Sequence, residues 1–599
     1  MLLQRLVEHA GRRDDLPPPY HRVKSVHWVL DVDLSGEAPA YEFVDLRPAK
    51  GESPRRIAAP DTLRTSMPLP FLLVDSAEYV LGVARVGKGA DVPGEKDRKK
   101  AELRRSLYVD LLGGWAATAP DDPAVQAVVG LLSQGVPRER QPQELSSAHT
   151  VAVMVGGEWL HEHPSVAAFW AGHVQEKKAR SGGFGVCLVC GEPGPLVDSL
   201  PDAVVTATFP KVDGIDKKAK AQLMSVNAPA FARAEGEQLA HTPVCAGCGS
   251  RAVAVLNALL ADDRHRRPVA PSVMVWWTRE PTTDCLLDAL DDPQPGDVSA
   301  LLDLVHKPNL AAPQFDGNLF HAVTLGLNSS RVVVRGWIDV PLPEVRRALG
   351  TWFSDVRIAD PWTGALACYP LWRLTQCTGR WTEDENGRDS YVKGSVPHGV
   401  PADLLHAALH GTAPDMRILL GLLHRIRADH RIDGPRAALI RLILTRHSSK
   451  DDAPMPQLNP VENDPAYVCG RIFATLEAIQ RTAMPKVNST IADKYLGTAA
   501  TSPGTVLPGL RINAGNHLRR LRRDKGAAAA ALESRMNSMF ALITGDLPAY
   551  MLPVQQGRFV LGYEHQRAAD RAAMAERIAA KNAAEAADTQ LQDDTDAVA

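Results

Sequence analysis

Four of the eight cysteines are spaced as the ligands of a metal ion often are. They form two Cys-x-x-Cys pairs, Cys187 with Cys190 and Cys245 with Cys248, and 54 residues separate the pairs. Each pair is followed directly by a glycine, which favours the tight turn that brings two thiolates onto one ion. Four soft sulfur ligands predict a tetrahedral Zn²⁺ site with a structural role, because no position remains for an activated water.

Two other interpretations of these cysteines remain open, namely unrelated reduced pairs or a redox disulfide. The matching spacing of the two pairs favours zinc. The other cysteines lack such neighbours in the sequence and are interpreted as core thiols: Cys285, Cys368, Cys377 and Cys469.

No other motif supports a catalytic reaction. Residues 82–89, GVARVGKG, approach the phosphate-binding signature G-x-x-x-x-G-K-[ST], but Gly89 stands where a hydroxyl should hold Mg²⁺. No G-x-S-x-G sequence is present for acyl transfer. Two histidine groups lack the helical spacing of metalloenzymes: His161 with His163, and His424 with His430. The sequence therefore predicts that the protein is not an enzyme.

Three basic stretches are candidates for contact with the phosphate backbone of a nucleic acid. The first, residues 85–105, is a glycine-containing loop that leads into a helix; the second is the strand RVVVRGW, and the third is residues 511–525. The alternative for each stretch is a solvated face, as most charge runs are. The candidate residues are Lys88, Lys96, Arg98, Lys99, Lys100 and Arg104 in the first stretch, Asn328, Arg331 and Arg335 at the second, and Arg519, Arg520, Arg522, Arg523 and Lys525 in the third.

Length and composition exclude several classes of protein. The chain has 599 residues and a formal net charge of −3, with 45% hydrophobic and 23% charged residues, which is typical of globular proteins rather than disordered or fibrous ones. At roughly 100–200 residues per domain, this length predicts three to five structural units. No apolar run reaches the roughly 18 residues of a membrane helix, and charges precede any signal-type stretch, so a cytoplasmic location is expected.

The hydrophobic pattern predicts an α+β multidomain fold with a mixed α/β N-terminal region, a zinc-knuckle region and a helical C-terminal bundle. Strands are predicted at VHWVLDVDL, AYEFVDL and FLLVDSAEYVLGVARV, and at 272–278 and 331–340. Helices are predicted at 96–112 and 123–134, and after about residue 400 apolar residues recur every three or four positions. Proline and glycine clusters at 453–460 and 503–509 are expected to separate the later helices.

These patterns predict six regions along the chain. They are an N-terminal α+β DNA-engaging domain (1–180), the zinc-knuckle region (181–290), a mixed α/β middle region (291–400), a helical connector (401–483), a C-terminal helical bundle (484–582) and a disordered tail (583–599).

Seven runs of sequence occur in an order that matches a known family. They are RTSMPLPFLLVDSAEYVLGV, CLVCGEPGPLV, VNAPAFARAEGEQLAHTPV followed by AVLNALL, LGLNSSRVVVRGW, GRIFATLEAIQRTA, TIADKYLGTAATSPGTVLPGL and QGRFVLGYEHQ. Through these runs the chain resembles the Csd-type large subunit of the type I-C CRISPR–Cas Cascade complex, over about residues 1–570.

The resemblance implies a non-catalytic subunit of a crRNA-guided surveillance complex for antiviral defence. Such a subunit recognises the protospacer-adjacent motif in double-stranded DNA, aids R-loop formation and recruits a separate helicase–nuclease. The implied partners are the other Cascade subunits, crRNA, the DNA target and that helicase–nuclease. Arg64 and Thr65 begin the first run and are secondary candidates for the DNA contact, although Arg64 could equally pair with a carboxylate.

The resemblance further implies that the C-terminal bundle is equivalent to a Cascade small subunit, with Met484 as a candidate internal start. The helices after Met484 carry their own apolar faces and are expected to bury a core without the rest of the chain. Two alternatives from other classes remain open for the whole protein: a zinc-stabilised protein scaffold without DNA contact, and a metal-dependent nuclease.

Overall fold

The computed structural model describes most of the chain. The residues outside the description are 37–38, 50–51, 63, 65–67, 88, 212–213, 215–218, 226–238, 240–241, 270, 283–286, 307–316, 361, 384–388, 393, 487 and 597–599, together with the side chains of 178–182, 389, 450, 581 and 584–596.

The described residues form eighteen α-helices. In chain order they are α1 (Leu2–Ala10), α2 (Ala77–Val80), α3 (Glu95–Ala116), α4 (Pro123–Gln134), α5 (Pro164–Gly182), α6 (Ala246–Ala261), α7 (Asp288–Asp291), α8 (Pro295–His306), α9 (Leu342–Val356), α10 (Leu371–Gln376), α11 (Val400–His410), α12 (Met416–Asp429), α13 (Gly434–His447), α14 (Pro465–Ala483), α15 (Ile491–Thr501), α16 (Pro503–Asp524), α17 (Gly526–Ala541) and α18 (Pro553–Asp596).

The same residues form nineteen strands, most of them short. They are β1 (His21–Ser25), β2 (Trp28–Asp33), β3 (Ala40–Asp45), β4 (Arg56–Pro60), β5 (Val74–Ser76), β6 (Thr150–Val155), β7 (Glu158–Trp159), β8 (Phe184–Val186), β9 (Pro193–Pro195), β10 (Val204–Val205), β11 (Lys220–Ala221), β12 (Arg266–Val269), β13 (Ser272–Thr278), β14 (Leu319–Asn328), β15 (Arg331–Pro341), β16 (Ile358–Ala359), β17 (Leu366–Ala367), β18 (Trp381–Glu383) and β19 (Asp389–Tyr391).

The described chain divides into two compact units, rather than the three to five that its length predicts. Unit 1 comprises Met1–Arg279 and His321–Ile338, and unit 2 comprises Glu280–Phe320 and Asp339–Ala599. The chain passes into unit 1 within β14 and leaves it within β15. The six regions predicted from the sequence stay a prediction. Within unit 1, one continuous hydrophobic core extends across the zinc-knuckle region and into β14 and β15.

The main sheet of unit 1 has the strand order β3-β2-β6-β5, with β7 paired to β6. Strands β2 and β6 are parallel, and the other pairs are antiparallel. Alternate residues of β2 point to opposite faces, so Leu30 and Val32 enter the large core while Val29 enters a smaller core on the other face. Burial on both faces explains the apolar character of this run.

The third predicted N-terminal strand, FLLVDSAEYVLGVARV, is wrong for most of its length. Only β5 is extended, and α2 follows it directly. Leu73 has a φ of +62°, so the chain bends just before β5. By contrast, β13 and β15 confirm the strands predicted at 272–278 and 331–340, and α3 and α4 confirm the first two helices. A second sheet of unit 1 has the order β12-β13-β14-β15.

Helices dominate unit 2, as the period of its apolar residues predicts. Helix α9 packs against α8, α11 and α13. Helix α13 is buried along most of its length and contains Arg436, which is fully buried. The Arg436 guanidinium donates to the carbonyls of Cys377 and Gly379, both at 3.1 Å, and pairs with Asp429 at 2.5 Å. This buried charge is satisfied by fixed acceptors, as burial of a charge requires.

Helix α14 is the central element of the C-terminal bundle. It contacts α15, α16, α17 and α18, and most of its residues are buried. It crosses α18 at two glycines: a Cβ on Gly470 would lie 2.0 Å from the Phe559 carbonyl oxygen, and one on Gly562 would lie 2.0 Å from the Tyr467 carbonyl oxygen. Because α14 precedes Met484, the helices after Met484 share their core with a segment outside the predicted 484–582 region.

One further expectation about the C-terminal part is wrong. Helix α16 begins at Pro503 and contains Pro508, so the proline–glycine cluster at 503–509 lies within a helix; Pro503 occupies the first turn, where a missing N–H loses no hydrogen bond. Helix α18 continues to Asp596 and so includes most of the backbone of the segment predicted as a tail. The absence of large apolar residues argues against packing, but alanine, glutamine and glutamate favour a helix.

Candidate metal centre and basic surfaces

The first cysteine pair lies at the hairpin of β8 and β9. Cys187 directly follows β8, and Gly191 reverses the chain with a φ of +78°, which L side chains rarely adopt. The Gly191 N–H donates to the Cys187 carbonyl at 2.9 Å, and the Cys187 N–H donates to the Glu192 carbonyl at 3.0 Å. This turn returns Cys190 to the side of Cys187.

The second pair lies at the start of α6. Cys245 is the N-cap residue, and Cys248 lies in the first turn. Gly249 is therefore helical and is not the turn glycine that the sequence predicts. It allows close packing instead, because a Cβ there would lie 2.9 Å from Cδ2 of Leu200.

The two pairs converge. The Sγ atoms of Cys187, Cys190, Cys245 and Cys248 all lie within 4.8 Å of one another. With Zn–S bonds of about 2.3 Å, a tetrahedral site has S···S separations of about 3.8 Å, so shifts of about 1 Å would close the ligand sphere. The Cys187 Sγ accepts two backbone N–H groups, from Val189 at 3.4 Å and from Cys245 at 3.3 Å, and N–H donors stabilise a thiolate.

The donor atoms of the cluster also fit a cation. A hydrogen bond from the Cys248 thiol is the main cause that lowers the pKa of Cys245 to about 5, and the same bond raises the pKa of Cys248. Cys187 and Cys248 are buried, whereas Cys190 is exposed. Among the described residues, no histidine or carboxylate joins the four sulfurs. The donor set therefore fits a soft metal ion with a closed sulfur sphere.

The other cysteines that the structure describes lie apart from this cluster. Cys377 and Cys469 are buried, and Cys368 is partly buried. Burial raises the pKa of Cys368 to about 11 and that of Cys469 to about 12, as expected for unreactive core thiols. Cys285 lies outside the described residues.

Most cations of the first basic stretch lie on the first turns of α3, within the helix predicted at 96–112. Lys96, Lys99 and Lys100 occupy an arc of about 100° on the exposed side of the helix, given 100° per residue. Lys99 pairs with Glu95 at 2.7 Å, and no carboxylate among the described residues pairs with Lys96 or Lys100. Arg98 lies on another side of the helix, where it donates to the Pro93 carbonyl at 3.1 Å.

Four other candidates of the N-terminal region are less accessible to a ligand or cannot be placed. Arg104 pairs with Glu78. Arg64 pairs with the buried Asp75, and its guanidinium lies 3.8 Å from the centre of the Phe71 ring. Arg64 is thus held within the protein, in line with the alternative that the sequence left open. Lys88 and Thr65 lie outside the described residues.

The second stretch flanks the turn between β14 and β15. Asn328 is exposed, and Ser329 has a φ of +56° in the turn. Arg331 donates to the Ser225 hydroxyl at 2.9 Å. Arg335 is exposed and lies across Gly326, where a Cβ would be 2.3 Å from its Nε. Both arginines therefore pack against other segments of the same polypeptide, but Arg335 is still exposed.

The third stretch forms an exposed basic face at the end of α16. Leu518 and Leu521 are buried, so the residues between and after them point outward. Arg522 pairs with Glu533 at 2.5 Å. The remaining cations of this face are exposed and have no carboxylate partner among the described residues: Arg519, Arg520, Arg523 and Lys525.

Sequence reasoning missed a buried ionic network beside a cleft of about 500 Å³ in unit 1. Lys24 donates to the carbonyls of Pro60 at 3.0 Å and Val74 at 2.9 Å, and it lies 3.3 Å from Asp61. Burial lowers the pKa of Lys24 and raises that of Asp75. A single lysine inside a strand was the only signal, and such a residue is usually assigned to the solvent face.

Of the histidines singled out in the sequence, His161 and His163 serve packing and capping. His163 caps α5 and lies 3.0 Å from Asp122. His161 is buried, and neither ring nitrogen has a hydrogen-bond partner among the described residues. Burial lowers the pKa of His161 to about 4, so it is neutral at physiological pH.

Four partly or fully buried histidines predict a loss of stability at acidic pH. Burial lowers the pKa of His9, His161 and His173 to about 4 and that of His565 to about 3. Below pH 6.5 the unfolded chain binds these protons while the folded chain does not, so stability is retained above pH 6.5 and falls toward pH 4. Each histidine contributes a slope of about 1.4 kcal/mol per pH unit in that window.

Urea unfolding at several pH values between about 7.5 and about 5 measures this slope. His161→Phe should reduce it by one histidine's share, while replacement of the exposed His424 by Phe should leave it unchanged. Equal slopes for His161→Phe and the unmodified protein would contradict the assignment.

Comparison with protein families gives one finding that covers both units. The model of the CRISPR-associated protein family Cas_Csd1 matches residues 3–570. A search of the curated proteins finds no match. None of the described helices is both long and apolar enough to span a membrane. The family match confirms the resemblance carried by the seven sequence runs, and the chain belongs to the Csd1 family of CRISPR-associated proteins, a family of Cascade components.

Proposed function

We propose that the chain is the non-catalytic large subunit of a type I-C Cascade complex. In this role it recognises the protospacer-adjacent motif in double-stranded DNA, aids R-loop formation and recruits a separate helicase–nuclease. The family match over residues 3–570 is the observation that carries the proposal. Association with crRNA and the other Cascade subunits, and a cytoplasmic location, belong to the same proposal.

The guide RNA and the protein have different tasks in such a complex, which explains why a nearly neutral protein can bind DNA well enough for this role. Base pairing with the guide reads most of the target sequence, so the protein reads only a short duplex motif and holds DNA by its backbone. Local cationic surfaces serve that purpose. The exposed lysines of α3 are proposed to contact duplex DNA beside the motif, and the exposed basic face of α16 is proposed to contact the unwound strand.

The four-cysteine cluster supports this role indirectly. We assign Zn²⁺ to it, held by Cys187, Cys190, Cys245 and Cys248, because four thiolates in a closed sphere are typical of structural zinc. The ion would link the β8–β9 hairpin to the first turn of α6. It leaves no open position for a reacting water, and among the described residues no second group of three or more metal-ligating side chains supports a nuclease centre.

Removal of the α3 cations tests the duplex contact. In the assembled complex, replacing Lys96, Arg98, Lys99 and Lys100 with Ala should weaken target binding and reduce the slope of log K against log salt. The slope should fall by about 0.9 for each phosphate contact that is lost.

A matched control replaces two arginines that are equally exposed but already paired. Arg264 and Arg417 are 86% and 87% exposed and lie 3.1 Å and 2.5 Å from Asp262 and Asp415. Their replacement with Ala should leave affinity and salt slope unchanged. If the α3 variant also bound like the unmodified complex at every salt concentration, α3 would be only a solvated face.

A further inference from the structure

Unit 2 contains a cavity of about 550 Å³ that combines arginines with aromatic rings. We call it the Trp362 cavity. Segments of α10, α13, α14, α15 and α18 and of β18 and β19 line it. Its volume lies within the roughly 300–1,000 Å³ of small-molecule pockets. Nothing in the proposed duplex contact on α3 uses it.

The carboxylates of the cavity are already satisfied within the protein. Glu477 accepts the Tyr563 hydroxyl at 2.6 Å and the Arg481 Nε at 2.8 Å. Arg567 donates to Glu564 at 3.2 Å. The other three are held by neighbouring donors: Asp360 by the N–H groups of Trp362 and Thr363, Asp433 by the Tyr391 hydroxyl, and Asp493 by the Thr490 N–H. No carboxylate remains without a donor to attract a cationic ligand.

Two of the cavity's arginines lie beside aromatic rings rather than beside a carboxylate. The guanidinium of Arg571 lies 4.1 Å from the centre of the Trp362 ring, and that of Arg373 lies 5.7 Å from the centre of the Tyr391 ring. Neither pairs with a carboxylate among the described residues. Burial is the main cause that lowers the pKa of Arg571, and the nearby Arg567 lowers it further. An anion placed here would pair with these two guanidinium groups.

Trp362 is held in place although most of its surface faces solvent. Trp362 as a whole residue is 71% exposed. Its turn is fixed by two N–H donors to Asp360 Oδ1 at 2.9 Å and by Gly364, which packs against α18 so closely that a Cβ would lie 2.6 Å from the Cβ of Ala572. An exposed but positioned indole supported by a guanidinium is a stacking platform.

We propose that the Trp362 cavity binds one nucleotide of a single-stranded nucleic acid, with its base stacked on Trp362 and its phosphate beside Arg373 and Arg571. The inference rests on the proposed function in one respect, namely that the chain binds nucleic acid. A duplex offers no free base face, whereas an unwound strand offers both a planar ring and a phosphate in every repeat. An acidic peptide would match the arginines but would leave the indole without a partner.

Binding of a short single-stranded DNA oligonucleotide of mixed sequence to the purified full chain tests this site, measured by fluorescence anisotropy. Trp362→Leu should weaken binding about tenfold or more, the loss of one stacked base. Trp362→Phe keeps an aromatic face and should retain most of the affinity. Arg571→Ala should reduce the salt slope by about 0.7, the value for one phosphate contact on a single strand.

Trp372→Ala is the matched control, because Trp372 is 48% exposed on α10 and lies outside the cavity. It should bind like the unmodified chain. Unchanged affinity of Trp362→Leu would overturn the proposal. So would a competition experiment in which AMP or a poly-glutamate peptide displaced the labelled oligonucleotide as effectively as the unlabelled oligonucleotide does. Failure of the proposed function would appear instead as unchanged duplex binding by the α3 variant, which is independent of these results.

Discussion

Replacement of Cys248 by Ser is expected to release one zinc ion per chain and to unfold the zinc-knuckle region. Cys248 is buried in the first turn of α6, and that helix supplies Leu256, Leu259 and Leu260 to the core of unit 1. Metal binding in such sites is coupled to folding, with apparent free energies of about 10–16 kcal/mol in zinc-finger peptides. The loss should therefore exceed that of almost any other single substitution.

Zinc content by atomic emission and thermal unfolding by circular dichroism measure this effect. Cys368→Ser is the control, because Cys368 is a partly buried thiol outside the cluster and its replacement should not change the zinc content. Extended treatment with a chelator should reproduce the Cys248→Ser result in the unmodified protein. Metal-free protein that unfolds at the same temperature as the metal-loaded protein would refute a structural role.

Gly470→Ala is expected to destabilise unit 2 by about 3 kcal/mol or more, the upper range for overpacking. A Cβ at this position would lie 2.0 Å from the Phe559 carbonyl oxygen and 2.8 Å from the Tyr563 amide nitrogen. Both atoms belong to the backbone of α18, so no side chain can rotate away, and the helices must separate. Urea unfolding followed by circular dichroism gives the change in free energy.

Gly509→Ala is the control for this substitution. Gly509 lies in α16, and no atom lies within 4 Å of a Cβ built there. Alanine should therefore stabilise the helix by up to about 1 kcal/mol through its higher helix propensity. A loss of stability at Gly509 equal to that at Gly470 would show that the effect does not arise from the helix crossing.

The crossing of α14 and α18 also bears on the C-terminal region. A product that starts at Met484 lacks α14 and exposes the faces of α15, α16, α17 and α18 that α14 covers in the full chain. The apolar faces seen in the sequence are buried, but part of the surface that covers them belongs to α14, upstream of Met484. Periodicity shows which residues a helix buries and does not show which helix covers them.

Local patterns predicted much of the fold and the metal centre. Cysteine spacing identified the four sulfurs that converge, and strong periodicity gave α12, α14, β13 and β15. The prediction erred where long-range contacts decide the conformation. The run after Phe71 turns helical after three strand residues, and Gly249 packs in a helix although its position suggested a turn.

The candidate ligand sites outside the cysteines were harder to find. Trp362, Arg373 and Arg571 are separated by up to 209 positions in the sequence, and only the packing of α18 brings Arg571 to the tryptophan. The burial of Lys24 and Asp75 likewise depends on strands far apart in the chain. Charge runs are visible in a sequence, whereas single charges that meet through folding are not.

The most direct test of the proposed role compares target binding by the assembled type I-C complex with and without this chain. Fluorescently labelled duplexes carry the guide-matched sequence either with its flanking motif or with that motif replaced. We expect tight, motif-dependent binding and strand opening only when the chain is present. Equal binding and opening of both duplexes by a complex that lacks the chain would contradict the assignment of motif recognition to this protein.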